Sequence, residues 1–144
     1  MRNPELAADY VKRASVRLRA LDVLFEAQCW ADVVRESQEV VELALKGLLR
    51  AYGVAPPRIH DMSAVLLAER ERLPEAVNEH AERLAAISKD LRRDRELAFY
   101  GTEDLTPSSF YAESDAVRAR DAARFTVGIV QPAVIPSPGV GPPS

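Results

Sequence analysis

One cysteine, two histidines and the absence of any long apolar run set the first limits on this chain of 144 residues. Cys29 has no second cysteine to bridge to, and with only His60 and His80 beside it there is no Cys/His set for a metal. No metal and no cofactor is expected, and Cys29 reads as a small buried apolar residue rather than a nucleophile. A membrane span needs about 18 or more consecutive apolar residues, and none occurs. The opening MRNPELAADY lacks the apolar centre of a secretion signal, so a cytoplasmic location away from membranes is expected. Charge of neither sign dominates: 19 Lys and Arg against 22 Asp and Glu leave a net charge of −3, which gives neither a strongly basic nucleic-acid footprint nor an acidic tail.

What is present is the material of one globular domain, 47% hydrophobic and 28% charged. Asn3, Pro4 and Glu5 make a good helix start, because Asn caps free amides, Pro suits the first turn and Glu favours the positive end. From there Ala7, Val11, Ala14, Leu18, Leu21 and Phe25 recur at spacings of four and three, the face of one helix. A second helix is expected from a cap at Asp32 to Tyr52, ending at Gly53 and buried through Val34, Val41, Leu45, Leu48 and Tyr52. Asp61 is expected to cap a short third helix carrying Val65 and Leu66, with Leu67 a further candidate for its buried face. A fourth runs from about Glu75 to Tyr100 on a row made of Val77, Ala81, Leu84, Ser88, Leu91, Arg95 and Ala98, which places an arginine on a core stripe. A fifth, from about Ala112 to Ile129, packs through Ala116, Ala119, Ala123 and Val127. The strand-like stretch from Phe125 to Val130 abuts that pattern and stays helical. The fold expected is therefore an all-α, up-and-down bundle of four main helices plus a short one over residues 1–131. The segment 132–144 holds five of the ten prolines and is expected to be a disordered proline-rich tail.

Two charged constellations stand out. At about 100° per residue, Arg35, Glu39, Glu42 and Lys46 share an arc of roughly 60° on the second helix. The plain reading is a solvated face with pairs four apart, each contributing about 0.2–0.5 kcal/mol. Leu43 falls on the polar side of that helix, where it suggests a subunit contact. The other constellation is Lys89, Arg92, Arg93 and Arg95 before Tyr100 and Gly101. Cations complement the negative end of a helix, which accounts for Arg92 and Arg93 but not for Arg95. An arginine on the core row must snorkel, pair with a buried carboxylate such as Glu42, or face a groove where a phosphate meets its planar fork. His60, ahead of Asp61, is read first as a structural histidine bonded to backbone and second as a ligand contact.

The stretch Trp30-Ala31-Asp32, through Arg35-Glu36-Ser37-Gln38 to Glu42-Leu43-Ala44-Leu45-Lys46-Gly47-Leu48-Leu49, with Gly53 and His60-Asp61 after it, resembles the signature of HEPN domains (higher eukaryotes and prokaryotes nucleotide-binding), of the small prokaryotic stand-alone type. The segment from Arg95 to Tyr100 and Gly101 is similar to that family's second conserved helix. The resemblance implies a homodimeric helical bundle with a polar ligand groove at the dimer interface. Many members it implies are metal-independent endoribonucleases, often toxins paired with a minimal nucleotidyltransferase. On this chain it points to Arg35, Glu42, Lys46, His60, Arg93 and Arg95 as ligand-binding residues, and to Arg95 and Tyr100 at the catalytic positions. Active members carry an arginine, four to six residues, then a histidine. Here no histidine follows His80, and Tyr100 stands in its place. A phenol with a pKa of about 10 is a poor base at pH 7, so binding survives the replacement better than cleavage does.

Three functions follow as expectations. The first is a nucleotide- or RNA-binding homodimer, partnered with a minimal nucleotidyltransferase in a toxin–antitoxin type of pair. The second is an endoribonuclease toxin that uses Tyr100 where a histidine is usual. The third is an interaction module without a ligand.

Overall fold

The computed structural model describes residues 3–58, 61–92 and 111–135 in full, and residues 93–100 by their backbone. Its helices are α1 (Pro4–Glu26), α2 (Trp30–Ala51), α3 (Ser63–Ala68), α4 (Glu75–Asn78), α5 (Ala81–Tyr100) and α6 (Glu113–Val134), with a 3-10 turn at Arg70–Arg72 before α4. No strand occurs among the described residues. The α1 start forms as its residues dictate: Asn3 Oδ1 accepts the Leu6 amide at 3.1 Å, with Pro4 in the first turn.

Helix α2 is the centre of the bundle, packed against α1, α5 and α6. Of the expected stripe, Val34, Val41, Leu45 and Leu48 are buried, while Tyr52, just past the helix end, is half-buried. Val33, Val40, Leu43, Ala44, Gly47 and Leu49 are buried as well, so the core wraps most of the helix circumference. Leu43 is only 9% exposed, which corrects its expected place on a polar side: α2 has neighbours where a two-sided helix would meet water. The helix begins at Trp30, two residues before the expected cap. Its cap is Cys29, with no side-chain bond, and Asp32 lies inside the first turn. Cys29 itself is half-buried. At the other end Gly53 takes φ 79°, and the amides of Gly53 and Val54 bond the carbonyls of Arg50 and Leu49. That left-handed closure is the one a glycine permits.

The contacts fix helix directions. Arg17 of α1 pairs with Glu36 of α2 at 3.2 Å, while Ala7 and Val11 lie against Gly47, so the two helices are antiparallel. Against α6, Ser15 meets Gln131 at 3.3 Å, and Asp22 meets Arg124 at 2.8 Å and Arg120 at 3.5 Å. The Arg120 guanidinium also lies 3.7 Å over the Phe25 ring. Helix α1 therefore runs antiparallel to α6 too, as an up-and-down bundle requires. The small residues Ala116, Ala119 and Ala123 of α6 are all buried, as their spacing predicts.

Two helix boundaries differ from expectation for physical reasons. The row from Glu75 to Tyr100 is interrupted after Asn78, because Arg70 clamps that residue. Its Nε donates to Asn78 Oδ1 at 2.8 Å and its Nη2 to the Asn78 carbonyl at 3.0 Å, and Asn78 Nδ2 returns a bond to the Arg70 carbonyl. Helix α6 runs past the expected end at Ile129 and through Pro132 to Val134. Proline lacks the amide that would bond the carbonyl four residues back, and that residue is Gly128, exposed and free of side-chain crowding. Residues 136–144 lie outside the described residues, and no helix among the described ones is long and apolar enough to cross a membrane.

The two helical glycines of α2 and α6 predict opposite mutational effects. A Cβ at Gly47 would sit 2.7 Å from Val11 Cγ2 and 2.9 Å from the Ala7 carbonyl, so Gly47→Ala is expected to destabilise by about 1–3 kcal/mol. At Gly128 a Cβ meets nothing within 4 Å, and Gly128→Ala is expected to stabilise by about 0.5–1 kcal/mol. Urea denaturation of both variants measures the contrast.

Candidate functional site

The polar ribbon of α2 lies on the narrow arc that the core leaves over, and it is less solvated than its spacing suggests. Glu42 is 6% exposed. Lys46 Nζ donates to its Oε1 at 2.8 Å, and Gln38 Nε2 donates to its Oε2 at 3.1 Å. Water cannot solvate this carboxylate, so donors from the protein must. The reading of Glu42 as part of an ordinary wet face is therefore overturned. The pair four residues apart is real, but it sits at the edge of the core, where it contributes more than an exposed pair does.

Gln38 was not singled out from sequence, yet it is 2% exposed and completes the network. Its Oε1 is buried and accepts no hydrogen bond, which leaves acceptor capacity beside Glu42. Its position four before Glu42, on a helix already marked by the Glu42 to Lys46 spacing, is the signal that would have found it. Ser37, fully buried next to it, also has an unpartnered hydroxyl. Arg35 does not close on Glu39 as the spacing suggested; it pairs one turn back with Asp32 at 3.6 Å, on an open part of the surface.

Helix α5, which carries the second constellation, packs against α2. Its row is buried through Val77, Ala81, Leu84, Ser88 and Leu91, as expected. Ser88 is tied in place by its hydroxyl, which accepts the Met62 amide at 2.8 Å and so anchors the start of α3 against α5. Asp61 contributes there too, accepting the Ser63 amide at 2.8 Å. Lys89 is exposed and Arg92 half-buried. Arg93, Arg95 and Tyr100 follow on the same helix, Arg95 four residues after Leu91; their side chains lie outside the described residues, as does His60. The structure thus unites Gln38, Glu42 and Lys46 directly and sets α5 beside them, while Arg35 stands apart with Asp32. Among the described residues no group of three or more His, Cys, Asp or Glu side chains is arranged to hold a metal.

A carboxylate held by an ammonium and a carboxamide at the edge of a core is a positioning device. Such a carboxylate can orient cations of a neighbouring helix by opposite charge, and Lys46 has two further donors beyond the one it gives Glu42. Lys46→Met removes a donor 2.8 Å from the Glu42 carboxylate and is expected to destabilise by about 1.5–3 kcal/mol. The double variant Glu42→Gln/Lys46→Met is expected to recover part of that loss, because no buried charge remains. A urea-denaturation cycle reads both, and a neutral single variant would return the pair to the ordinary surface class.

No curated protein and no solved structure matches the chain. The HEPN domain matches it over residues 7–131, from the first buried residue of α1 to the last turn of α6, and so spans the whole α2 ribbon and the cation-rich end of α5. By that match over most of its length, and by the helical bundle that carries it, the chain belongs to the HEPN domain family.

Proposed function

We propose that this protein binds a nucleotide or RNA phosphate in a groove between α2 and the C-terminal turns of α5, as a homodimer that works beside a minimal nucleotidyltransferase-type protein. HEPN membership carries a nucleotide- or RNA-related function in general. The observation that supports the specific reading is the buried Glu42 with Lys46 and Gln38, on the helix that packs against α5.

The ribbon alone offers no net positive charge to an anion, because Glu39 and Glu42 balance Arg35 and Lys46 along it. The positive charge comes from α5, where Lys89, Arg92, Arg93 and Arg95 fall within seven residues. In this reading the α2 carboxylates orient those cations, and Arg95 presents a planar fork to phosphate. Tyr100 stacks on or hydrogen-bonds a base and does not move protons at neutral pH. The homodimer brings two grooves together, and the partner chain covers or supplies the bound nucleotide.

Calorimetric titration of nucleotides and short RNA against the wild type and Arg95→Ala tests the proposal. The variant is expected to bind about tenfold or more weakly, a loss of about 1.4 kcal/mol or more. Equal affinities would remove Arg95 from the site. Cleavage of the RNA by wild type but not by Arg95→Ala would instead favour the ribonuclease reading with Tyr100.

A further inference from the structure

Helix α1 carries two apolar rows, and its own fold covers one. The inner row, with Ala7, Val11, Ala14 and Leu21 fully buried, faces α2 and α6. The outer row is Val16, Ala20 and Val23, at spacings of four and three. All three are exposed, Val16 by 56% and Val23 by 67%. Leu67, at 42%, is the other exposed large hydrophobic among the described residues, and it stands alone.

The charges around this row are equally uneven. Lys12, Arg13 and Arg19 are exposed and make no ion pair or ring contact among the described residues. Arg17 makes one bond to Glu36 and remains 41% exposed. Many other surface arginines are engaged: Arg35 by Asp32, Arg70 by Asn78, Arg72 by Glu69, Arg118 by Asp115 and Arg124 by Asp22. At the basic end of the row Asp9, Lys12, Arg13, Val16 and Arg17 frame a shallow hollow of about 240 Å³.

We propose that the outer face of α1 docks an acidic amphipathic helix of a partner protein. Apolar residues at alternating spacings of four and three form the seam of a two-helix contact, and Ala20 lets a second helix approach closely. The unmatched cations on either flank specify carboxylates on the incoming helix. A second copy of this chain is a poorer complement. Laid antiparallel with Val16 opposite Val23, it sets Glu26 near Lys12 but brings the two Arg19 side chains together at the centre, and it leaves Arg13 unmatched. A nucleic acid would meet the cations but not the exposed valines. The inference is independent of the α2–α5 groove.

The test uses the full chain, labelled for NMR, and two synthetic three-heptad helical peptides. Both carry leucine at four-three spacing, one with glutamate and the other with lysine at the flanking positions. The glutamate peptide is expected to shift the outer-face amides of α1, with at least fivefold higher affinity than its lysine twin. Arg13→Glu/Arg19→Glu is expected to reverse that preference, and Val16→Glu/Val23→Glu to abolish binding while circular dichroism stays unchanged. Equal binding of the two peptides, or shifts elsewhere on the bundle, overturns the proposal. Short RNA shifting the same amides more strongly than the glutamate peptide overturns it in favour of a phosphate surface. Ready disulfide-linked dimers of Val16→Cys/Val23→Cys in a Cys29→Ser background overturn it in favour of a second copy.

Discussion

The constraint on which this structure depends is the enclosure of α2. Three long helices pack on it, and little of its circumference remains for water. Enclosure demands a glycine at position 47, where α1 approaches to within contact of the backbone. It also removes the usual freedom of a polar residue to be solvated. Glu42 is held by Lys46 and Gln38 because no cheaper solution exists for a carboxylate at the rim of a core.

How much of this was legible in the sequence depends on whether the cause was local. The rows of α1, α5 and α6 could be read residue by residue, since each presents one buried face with a period near 3.6. The spacing method fails on α2 for a definite reason. It assumes one wet side, and a helix with neighbours around most of its circumference has only an edge, so Leu43 was assigned to a surface that does not exist. The interruption after Asn78 was invisible because its cause is a clamp from Arg70, eight residues away and outside the helical pattern. The continuation through Pro132 does not follow from the proline alone, because it depends on the bare Gly128 four residues before it. For the site, the spacing of Glu42 and Lys46 and the arginine on the α5 row were visible. The burial of Glu42, and the part taken by Gln38, are not, because burial belongs to the assembled bundle.

The bundle separates two kinds of surface. On the α2 arc, charge is organised: a buried carboxylate is held by Lys46 and Gln38, on a helix that packs against α5. On the outer side of α1, charge is left unmatched around apolar side chains. The first arrangement suits a small, strongly charged ligand whose position must be set within a fraction of an ångström. The second suits a partner that brings its own complementary pattern.

The end of α6 has a consequence of its own. The Tyr52 hydroxyl, at the close of α2, donates to the Ala133 carbonyl at 2.7 Å. That carbonyl belongs to a turn built after a proline, in a stretch whose composition looks dispensable. Trimming the chain at its first C-terminal proline would therefore strip a half-buried phenol of its acceptor and remove the tie between the ends of the central helix and the last one. The compositional edge of the domain and its mechanical edge are different places.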